Sequence, residues 1–510
     1  MIIKFTFLKS SDYLSDKRIR LVLWLLMALL FLAHLTFLNA DPDSLLSLNT
    51  RGAWTDEGLY TAQLRDFINH GSFDLYNNNG FIITPVLQII LSPFYYIFGT
   101  DIIVGRAVAL LFTIGVLFVL STSNQLRLPA LFYLLMVALQ FHYFQFCHYS
   151  MGEIFAINML LLSLFALVKF EVYYNHAKKL RWLLLAVFFS FLAYGLKVQF
   201  AYVVVLVPAA IMIKAWSVPR KFKNIRKEYY KSFWISVLFT FTLALVYLLA
   251  WYLPNRDFYD YIMNYETSER FKSSFSGLIE VYRFNFRHII WVPELWPLLL
   301  IALLAPFGLT VAQFTKFRKG SIPLALIFGL IWMLVEQHKI AMIYLPTRYF
   351  LSLIAAAGIV ASLSLGLLVK HHVSAIKLIL PVVFVMAFLN LTFIYETWKR
   401  RTYDIQAVQT YFEKSSLDKN RPVLGIWAYT LAADSKTPTI GIRHNYLNDK
   451  DPIRTYNPQL VITEFNQAES DSAWAGQGID LAAVSDSVRR FKVWRYDLDF
   501  YWIKPDINKP

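Results

Sequence analysis

Long apolar runs constrain the structure of this chain more than any other feature of its sequence. Leu21–Leu38, Leu128–Phe146, Phe233–Leu253 and Trp291–Phe314, expected to be the first, third, seventh and eighth spans, are four of them. Each is close to the roughly 20 residues that a helix needs to cross the hydrocarbon core of a bilayer. Strands of a membrane barrel are shorter and alternate polar with apolar residues, so these runs predict spanning helices. The composition agrees, since 57% of the residues are hydrophobic and only 16% are charged.

Basic residues collect in alternate loops between these runs, and their distribution predicts the topology. They precede the first run at Lys4, Lys9, Lys17, Arg18 and Arg20, and they follow the sixth at Arg220, Lys221, Lys223, Arg226, Lys227 and Lys231. The positive-inside rule places both segments in the cytoplasm. We therefore expect a polytopic α-helical membrane protein with about eleven transmembrane helices, a cytoplasmic N-terminus and an outer C-terminal tail. The basic residues of these loops account for the net charge of +15, which therefore does not indicate nucleic-acid binding. The expected partners include membrane lipids but no nucleic acid.

The polarity of the chain changes near its last quarter, which predicts two domains. Residues 1–395 contain the apolar runs and are expected to form the transmembrane domain. Residues 396–510 are less hydrophobic. In this tail, helical periodicity at Ile405–Phe412 and short apolar segments at Val423–Trp427 and Leu460–Thr463 predict a small extracytoplasmic α/β domain.

The first outer loop, Asn39 to about Ile103, contains two adjacent carboxylates, Asp56 and Glu57. Helical spacing near them, and the short, proline-interrupted apolar segment Ile82–Phe98, predict interfacial helices lying on the membrane. The two acids have two interpretations. They can occupy the first turn of a helix capped by Thr55, where acids complement the helix dipole, or they can take part in chemistry. The interpretations are compatible, because a helix N-terminus is a rigid support for a reactive side chain.

Ionisable side chains are nearly absent from the middles of the apolar runs and collect at their outer ends. A charge at the bilayer centre costs about 2.5–3.5 kcal/mol on insertion scales, so this placement is informative. The residues concerned include Arg106, Glu153, Lys197, Glu336, His338, Lys339 and Arg348. A transporter is expected to place polar groups near the midplane and often has inverted repeats, and neither feature is present in the sequence. The pattern favours a cavity at the outer leaflet, with carboxylates for proton transfer and cations for an anionic head group.

Each of these residues also has an interpretation without a catalytic or binding role. Arg106, Lys197 and Arg348 can be interfacial anchors whose charged ends reach water. Glu153 follows Gly152 and can simply begin a helix, and His338 can be solvated. No strong metal-ligand spacing is present, so no cofactor is predicted and a divalent metal is left as an open alternative.

Five short motifs occur in order along the first three-quarters of the chain. They are Asp56-Glu57-x-x-Tyr60, Thr84-Pro85, Phe98-Gly99 to Arg106-Ala107, Gly195-Leu196-Lys197 and Pro346-Thr347-Arg348-Tyr349. Together they resemble the GT-C glycosyltransferases, specifically the branch of protein O-mannosyltransferases and lipid A aminoarabinose transferases. The chain departs from that pattern in having Pro85-Val86 where the family often has two prolines, and Glu153 where it often has an aspartate.

The resemblance implies a GT-C fold and an enzyme that transfers a sugar from a polyprenyl-phosphate donor. The acceptor would be a glycan, lipid or protein on the periplasmic face of an inner membrane, and transfer would invert the anomeric carbon. A lipid or glycan transporter and a non-catalytic membrane scaffold are the alternative functions.

The candidate residues fall into three groups by expected role. The catalytic candidates are Asp56, which would accept the acceptor's proton, and Glu57. The candidates for binding the donor phosphate are Lys197, Arg348 and, in support, Arg106; the further substrate-binding candidates are Tyr60, Glu153, His338 and Tyr349.

Overall fold

The computed structural model describes residues 16–43, 52–71, 73–174, 176, 178–267, 270–317, 322–372, 374, 376–415, 417–465 and 468–505. Lys4 and Lys9, which entered the topology prediction, lie outside this part of the chain.

Helices long and apolar enough to cross a membrane dominate the fold. The residues that the structure describes include nine such segments. Their principal helices are α1 (Asp16–Leu35), α5 (Ile102–Thr122), α8 (Gly152–Val172), α9 (Lys179–Leu196), α10 (Leu206–Ser217), α11 (Lys223–Tyr247), α15 (Leu324–Glu336), α16 (Leu351–His371) and α17 (Ile376–Lys399). The chain is therefore a multi-pass helical membrane protein, as predicted.

Two predicted spans differ from the helices observed. The third, Leu128–Phe146, is broken into α6 (Arg127–Tyr133), which continues as a π-helical turn to Ala138, and α7 (Phe141–Phe146). The prediction of one continuous helix is wrong there, because the Gln140 side chain accepts a hydrogen bond from the backbone N–H of Tyr143 and caps a new helix. The eighth span, predicted as Trp291–Phe314, is α14 (Trp296–Phe317), which begins and ends later than predicted. The number of eleven transmembrane helices stays a prediction.

Helices α8 and α16 lie at the centre of the bundle. Most of each helix is buried, and α8 packs against α5, α9, α15 and α16. Glu153 lies in the first turn of α8, and Arg348 lies in the 3₁₀ turn Thr347–Phe350 that leads into α16. The two central helices therefore both carry an ionisable candidate residue where they begin.

Short helices connect the spans, as expected for the first outer loop. They are α2 (Gly52–His70), α3 (Gly80–Ile83) and α4 (Pro85–Phe98) between the first two spans, with α12 (Arg256–Thr267) and α13 (Phe275–Asn285) later in the chain. Thr55 is not the N-cap of α2, so that interpretation is wrong: the helix begins at Gly52 and places Asp56 and Glu57 beyond its first turn. Trp54, in the first turn of α2, is buried and stacks on Trp494.

The C-terminal part folds as the predicted small α/β domain. Its elements are α18 (Asp404–Lys414), β1 (Val423–Leu424), α19 (Ala428–Leu431), β2 (Thr439–Ile440), α20 (Pro452–Tyr456), β3 (Leu460–Glu464), α21 (Ala468–Ala475), β4 (Ser485–Val493) and β5 (Tyr496–Ile503). The sheet order is β2-β1-β3-β5-β4, with β1 parallel to β2 and β3, and with β5 antiparallel to β3 and β4. We call residues 404–505 the sheet domain.

An acidic side chain from the segment between α1 and α2 joins the sheet domain to the helical bundle. The carboxylate of Asp41 accepts hydrogen bonds from the Thr402 hydroxyl at 2.8 Å and from the backbone N–H groups of Asp404 and Ile405. It thus satisfies N–H groups at the start of α18, which that helix cannot satisfy itself. The domain boundary predicted at residue 396 lies inside α17, and the division into domains stays a prediction.

Candidate active site

Five predicted residues from four separate segments meet in one buried group. Asp56 and Tyr60 come from α2, Glu153 from α8, Lys197 from the residue after α9, and Arg348 from the turn before α16. None of the five is more than 8% exposed. We call these five residues the charged cluster.

Ion pairs and hydrogen bonds connect the charged cluster. Arg348 Nη2 lies 2.6 Å from Asp56 Oδ2, and Lys197 Nζ lies 3.2 Å from Glu153 Oε1. Lys197 Nζ also donates to the Tyr60 hydroxyl at 2.5 Å, and that hydroxyl donates to Asp56 Oδ2 at 3.3 Å. Tyr60 can donate because burial and the nearby carboxylates of Asp56 and Glu153 raise its pKa, which keeps the phenol protonated. The four charged groups form two cation–carboxylate pairs whose formal charges cancel.

Glycine at the start of α8 is needed to bring Glu153 and Lys197 together. A Cβ atom on Gly152 would clash with the carbonyl oxygen of Leu196, the residue before Lys197. The start of α8 and the end of α9 therefore approach through their backbones, which a larger residue would prevent. This contact explains why two candidates distant in sequence are neighbours in space.

The charged cluster has polar atoms without hydrogen-bond partners. Among the described residues, Glu153 Oε2 and Arg348 Nε have no hydrogen-bond partner, and Glu153 Oε1 has only its ion-pair contacts with Lys197 Nζ at 3.2 Å and Arg348 Nε at 3.7 Å. Leaving a buried polar group unpaired costs about 1–3 kcal/mol, and more for a charged group. Such atoms are common where a ligand or a solvent molecule completes the site.

Glu57 and Arg106, two further candidates, bind each other. Arg106 Nη2 lies 2.8 Å from Glu57 Oε2, and Arg106 Nε lies 3.0 Å from the same oxygen. Glu57 Oε1 also accepts from the backbone N–H of Ser150 at 3.0 Å, and Arg106 Nη1 donates to the carbonyl oxygens of Leu38 and Ala40. The pair ties α2 to α5 and to the loops on either side, and most of its donors and acceptors are occupied.

His338 lies apart from the charged cluster, whereas Tyr349 lies beside Arg348. His338 is exposed, and its Nδ1 is 2.6 Å from the carbonyl oxygen of Val335. The Tyr349 ring is 5.1 Å from the Arg348 guanidinium carbon, and its hydroxyl accepts from Arg270 Nη1 at 3.2 Å. Sequence reasoning missed Arg270, which lies between α12 and α13 in a segment with no motif that would indicate its proximity to Tyr349.

A further buried ion pair lies next to the turn that carries Arg348. Lys339 Nζ is 2.8 Å from Glu336 Oε2, and the Ser352 hydroxyl donates to the same oxygen at 2.6 Å. Lys339 Nζ also donates to the Ser352 hydroxyl at 2.7 Å, so Ser352 connects this pair to the first turn of α16.

The described residues contain no group of three or more histidine, cysteine, aspartate or glutamate side chains placed to hold a metal ion. Asp56 and Glu153, both within 4 Å of Arg348, are the carboxylates of the charged cluster itself.

No family model and no curated protein matches this chain. Among solved structures, ArnT from Cupriavidus metallidurans bound to undecaprenyl phosphate is similar, with a TM-score of 0.58 and 14% identity over 94% of this chain and 97% of that one. Its apo structure gives a TM-score of 0.57 at 14% identity over 96% and 99% of the chains. The archaeal oligosaccharyltransferase AglB from Archaeoglobus fulgidus, in complex with an inhibitory peptide and a dolichol-phosphate, gives 0.54 at 10% identity over 95% of this chain and 75% of that one.

At these identities the similarity concerns the fold. Both the helical bundle and the sheet domain are included in it, since nearly all of the chain is covered. The chain therefore shares the fold of these proteins, which agrees with the GT-C fold expected from the sequence motifs.

Proposed function

We propose that this protein is a membrane glycosyltransferase that moves a sugar from a polyprenyl-phosphate donor to a glycan, lipid or protein acceptor. The observation that carries the proposal is the charged cluster, where two cations and two carboxylates from distant segments meet with unpaired polar atoms. The fold supports it, because ArnT and AglB, which share it, were solved with undecaprenyl phosphate and a dolichol-phosphate.

Lys197 and Arg348 are proposed to bind the phosphate of the donor. Arg348 has an unpaired Nε, and a guanidinium can donate two parallel hydrogen bonds to phosphate oxygens. Lys197 supplies a compact positive charge near Arg348, because Glu153 lies close to both cations. Glu153 would hold both cations in place before the donor binds.

Asp56 is proposed to accept the proton of an acceptor hydroxyl. The acceptor oxygen attacks the anomeric carbon, the bond from that carbon to the phosphate oxygen breaks, and the phosphate leaves with the electron pair. Attack from the side opposite the phosphate inverts the anomeric carbon. Proton transfer to a positioned carboxylate typically contributes about 10²–10⁴-fold to such a rate.

The balance of charge in the cluster suits this reaction. With a donor phosphodiester bound, two carboxylates, two cations and one phosphate charge give a net charge of −1. As the phosphate departs it gains a second negative charge, and Asp56 loses its charge by taking the proton. The net charge of the buried site therefore stays constant, which matters because charges interact strongly in a low-dielectric interior.

The remaining candidates have supporting roles in this proposal. Tyr60 connects Lys197 to Asp56 and would orient the carboxylate. Glu57 and Arg106 would fix α2 relative to α5, while Tyr349 lies beside the phosphate-binding arginine. The site would face the periplasm, as the distribution of basic loops predicts.

Release of undecaprenyl phosphate from labelled undecaprenyl-phosphate sugars tests the proposal. The purified protein, in nanodiscs, would be given a panel of such pentose and hexose donors with extracted envelope glycans, lipids and proteins. We expect release and label transfer for at least one donor. A protein that releases no carrier from any donor, yet moves a fluorescent undecaprenyl-phosphate sugar across vesicle membranes, would be a transporter instead.

A further inference from the structure

We infer that the sheet domain holds α2 in the orientation that sugar transfer requires, and that Thr430 is a positioning residue for Asp56. The inference rests on the proposed function, since it concerns how α2 presents the proposed base. Three contacts between α2 and the sheet domain carry it.

The first contact is a close approach of two backbones beside Asp56. A Cβ atom on Gly58 would clash with the carbonyl oxygen of Tyr429 and with the Thr430 hydroxyl. Gly58 is two residues after Asp56 in α2, and Tyr429 and Thr430 belong to α19 of the sheet domain. The two helices can come this close only because residue 58 has no side chain.

The second contact is a set of hydrogen bonds on both sides of the proposed base. The Thr430 hydroxyl donates to the carbonyl oxygen of Thr55, the residue before Asp56, at 3.2 Å. Arg65 Nη2 donates to the carbonyl oxygens of Gly58 at 3.0 Å and Tyr429 at 2.5 Å. Thr430 and Arg65 are buried, so water competes little for these bonds.

The third contact fixes the beginning of α2. Trp54 stacks on Trp494, with ring centroids 5.6 Å apart and planes only 7° from parallel. Trp494 lies in the turn between β4 and β5, on a different part of the sheet domain from α19. Two separate parts of that domain therefore restrain the rotation of α2 about its own axis.

A small rotation of α2 would be enough to disturb catalysis. Turning a helix by about 10° moves a carboxylate roughly 6 Å from its axis by about 1 Å. A misplacement of that size can lower a rate by about 10²-fold. Lys197 and Arg348 lie on other elements and both remain near Glu153 of α8, so the same rotation should not weaken carrier binding. Because α2 also supplies Asp56 and Tyr60 to these cations, the affinity for the carrier should be unchanged or tighter.

Replacing Thr430 separates the two effects. Thr430→Val removes the hydrogen bond and keeps the shape, while Thr430→Ser keeps the hydroxyl. Gly58→Ala disturbs the same contact from the side of α2. Thr455→Val is the matched control, since the exposed Thr455 hydroxyl also donates to a backbone carbonyl, that of Lys450, within the same domain.

Two quantities would be measured in nanodiscs: kcat with the undecaprenyl-phosphate sugar that the wild-type protein uses, and the Kd of undecaprenyl phosphate. For Thr430→Val and Gly58→Ala we expect kcat to fall by about 5- to 100-fold, with the Kd of undecaprenyl phosphate unchanged or lower. Thr430→Ser and Thr455→Val should retain kcat. Size-exclusion profiles and thermal unfolding check that each variant is folded. If Thr430→Val does not fold, Gly58→Ala tests the same contact.

The inference is wrong if both variants turn over at the wild-type rate, or if kcat and carrier affinity fall together, which would indicate general damage. A wild-type protein that uses no donor in the panel overturns the proposed function as well. An active wild type with equally active variants overturns the positioning role alone.

Discussion

Removing the charge of Arg348 should weaken carrier binding, and the size of the change in Kd can be estimated from its contacts. Its guanidinium lies 2.6 Å from Asp56 and 3.7 Å from Glu153, and the side chain is only 8% exposed. In Arg348→Met the two carboxylates face a single cation, so the empty cluster carries a net charge of −1 before an anion enters. One charge-assisted hydrogen bond is worth about 1.5–3 kcal/mol, which corresponds to about 10- to 150-fold in Kd.

The assay is titration of the purified protein in nanodiscs with undecaprenyl phosphate at fixed salt. Arg348→Lys keeps the charge but loses the paired donors, so its Kd should lie between those of wild type and Arg348→Met. Arg256→Met is the matched control, because it removes an arginine from the exposed ion pair with Asp260. Lys197→Met should behave like Arg348→Met. Wild-type affinity in both would refute the reasoning and leave these cations as interfacial anchors.

Three further predictions concern stability and topology. Glu57→Gln leaves the buried charge of Arg106 without its partner, so thermal unfolding should show a loss of about 3–5 kcal/mol, whereas an unchanged melting temperature would contradict the pairing. Burial raises the pKa of Asp66 to about 7 and that of Asp434 to about 6. The folded state therefore binds protons more tightly than the unfolded chain, so stability should fall as the pH rises from about 4 to 7, and Asp66→Asn should flatten this dependence. A periplasm-dependent reporter fused at Pro510 should be active, and activity of a cytoplasm-dependent reporter there would overturn the predicted topology.

The fold could be predicted from the sequence because membrane spans depend on length and composition. A break inside an apolar run depends on a single side chain. The helix cap formed by Gln140 could not be predicted, because the hydrophobicity of the run does not indicate it. The hairpin of β4 and β5 was missed for a related reason. Residues 486–490 on β4 are exposed in succession, so the strand lacks the alternation that sequence analysis detects.

The candidate site could be predicted as a set of residues but not as a set of pairs. Asp56, Lys197 and Arg348 were identified from motifs and span ends, and the structure brings them together. The pairing of Glu57 with Arg106 depends on how α2 packs on α5, which no local pattern encodes. Arg65 was overlooked because its contacts are with backbone carbonyls, one of them in the sheet domain.

The most direct test of the account is single-turnover sugar transfer by Asp56→Asn. Asparagine keeps the size of the side chain but cannot accept the acceptor's proton, so the rate should fall by about 10²–10⁴-fold. Removing a carboxylate from the charged cluster should at the same time leave the affinity for undecaprenyl phosphate unchanged or tighter. Asp260→Asn, at the exposed ion pair, is the control and should keep the wild-type rate. A near-wild-type transfer rate in folded Asp56→Asn would contradict the central claim that the charged cluster performs the chemistry through this carboxylate.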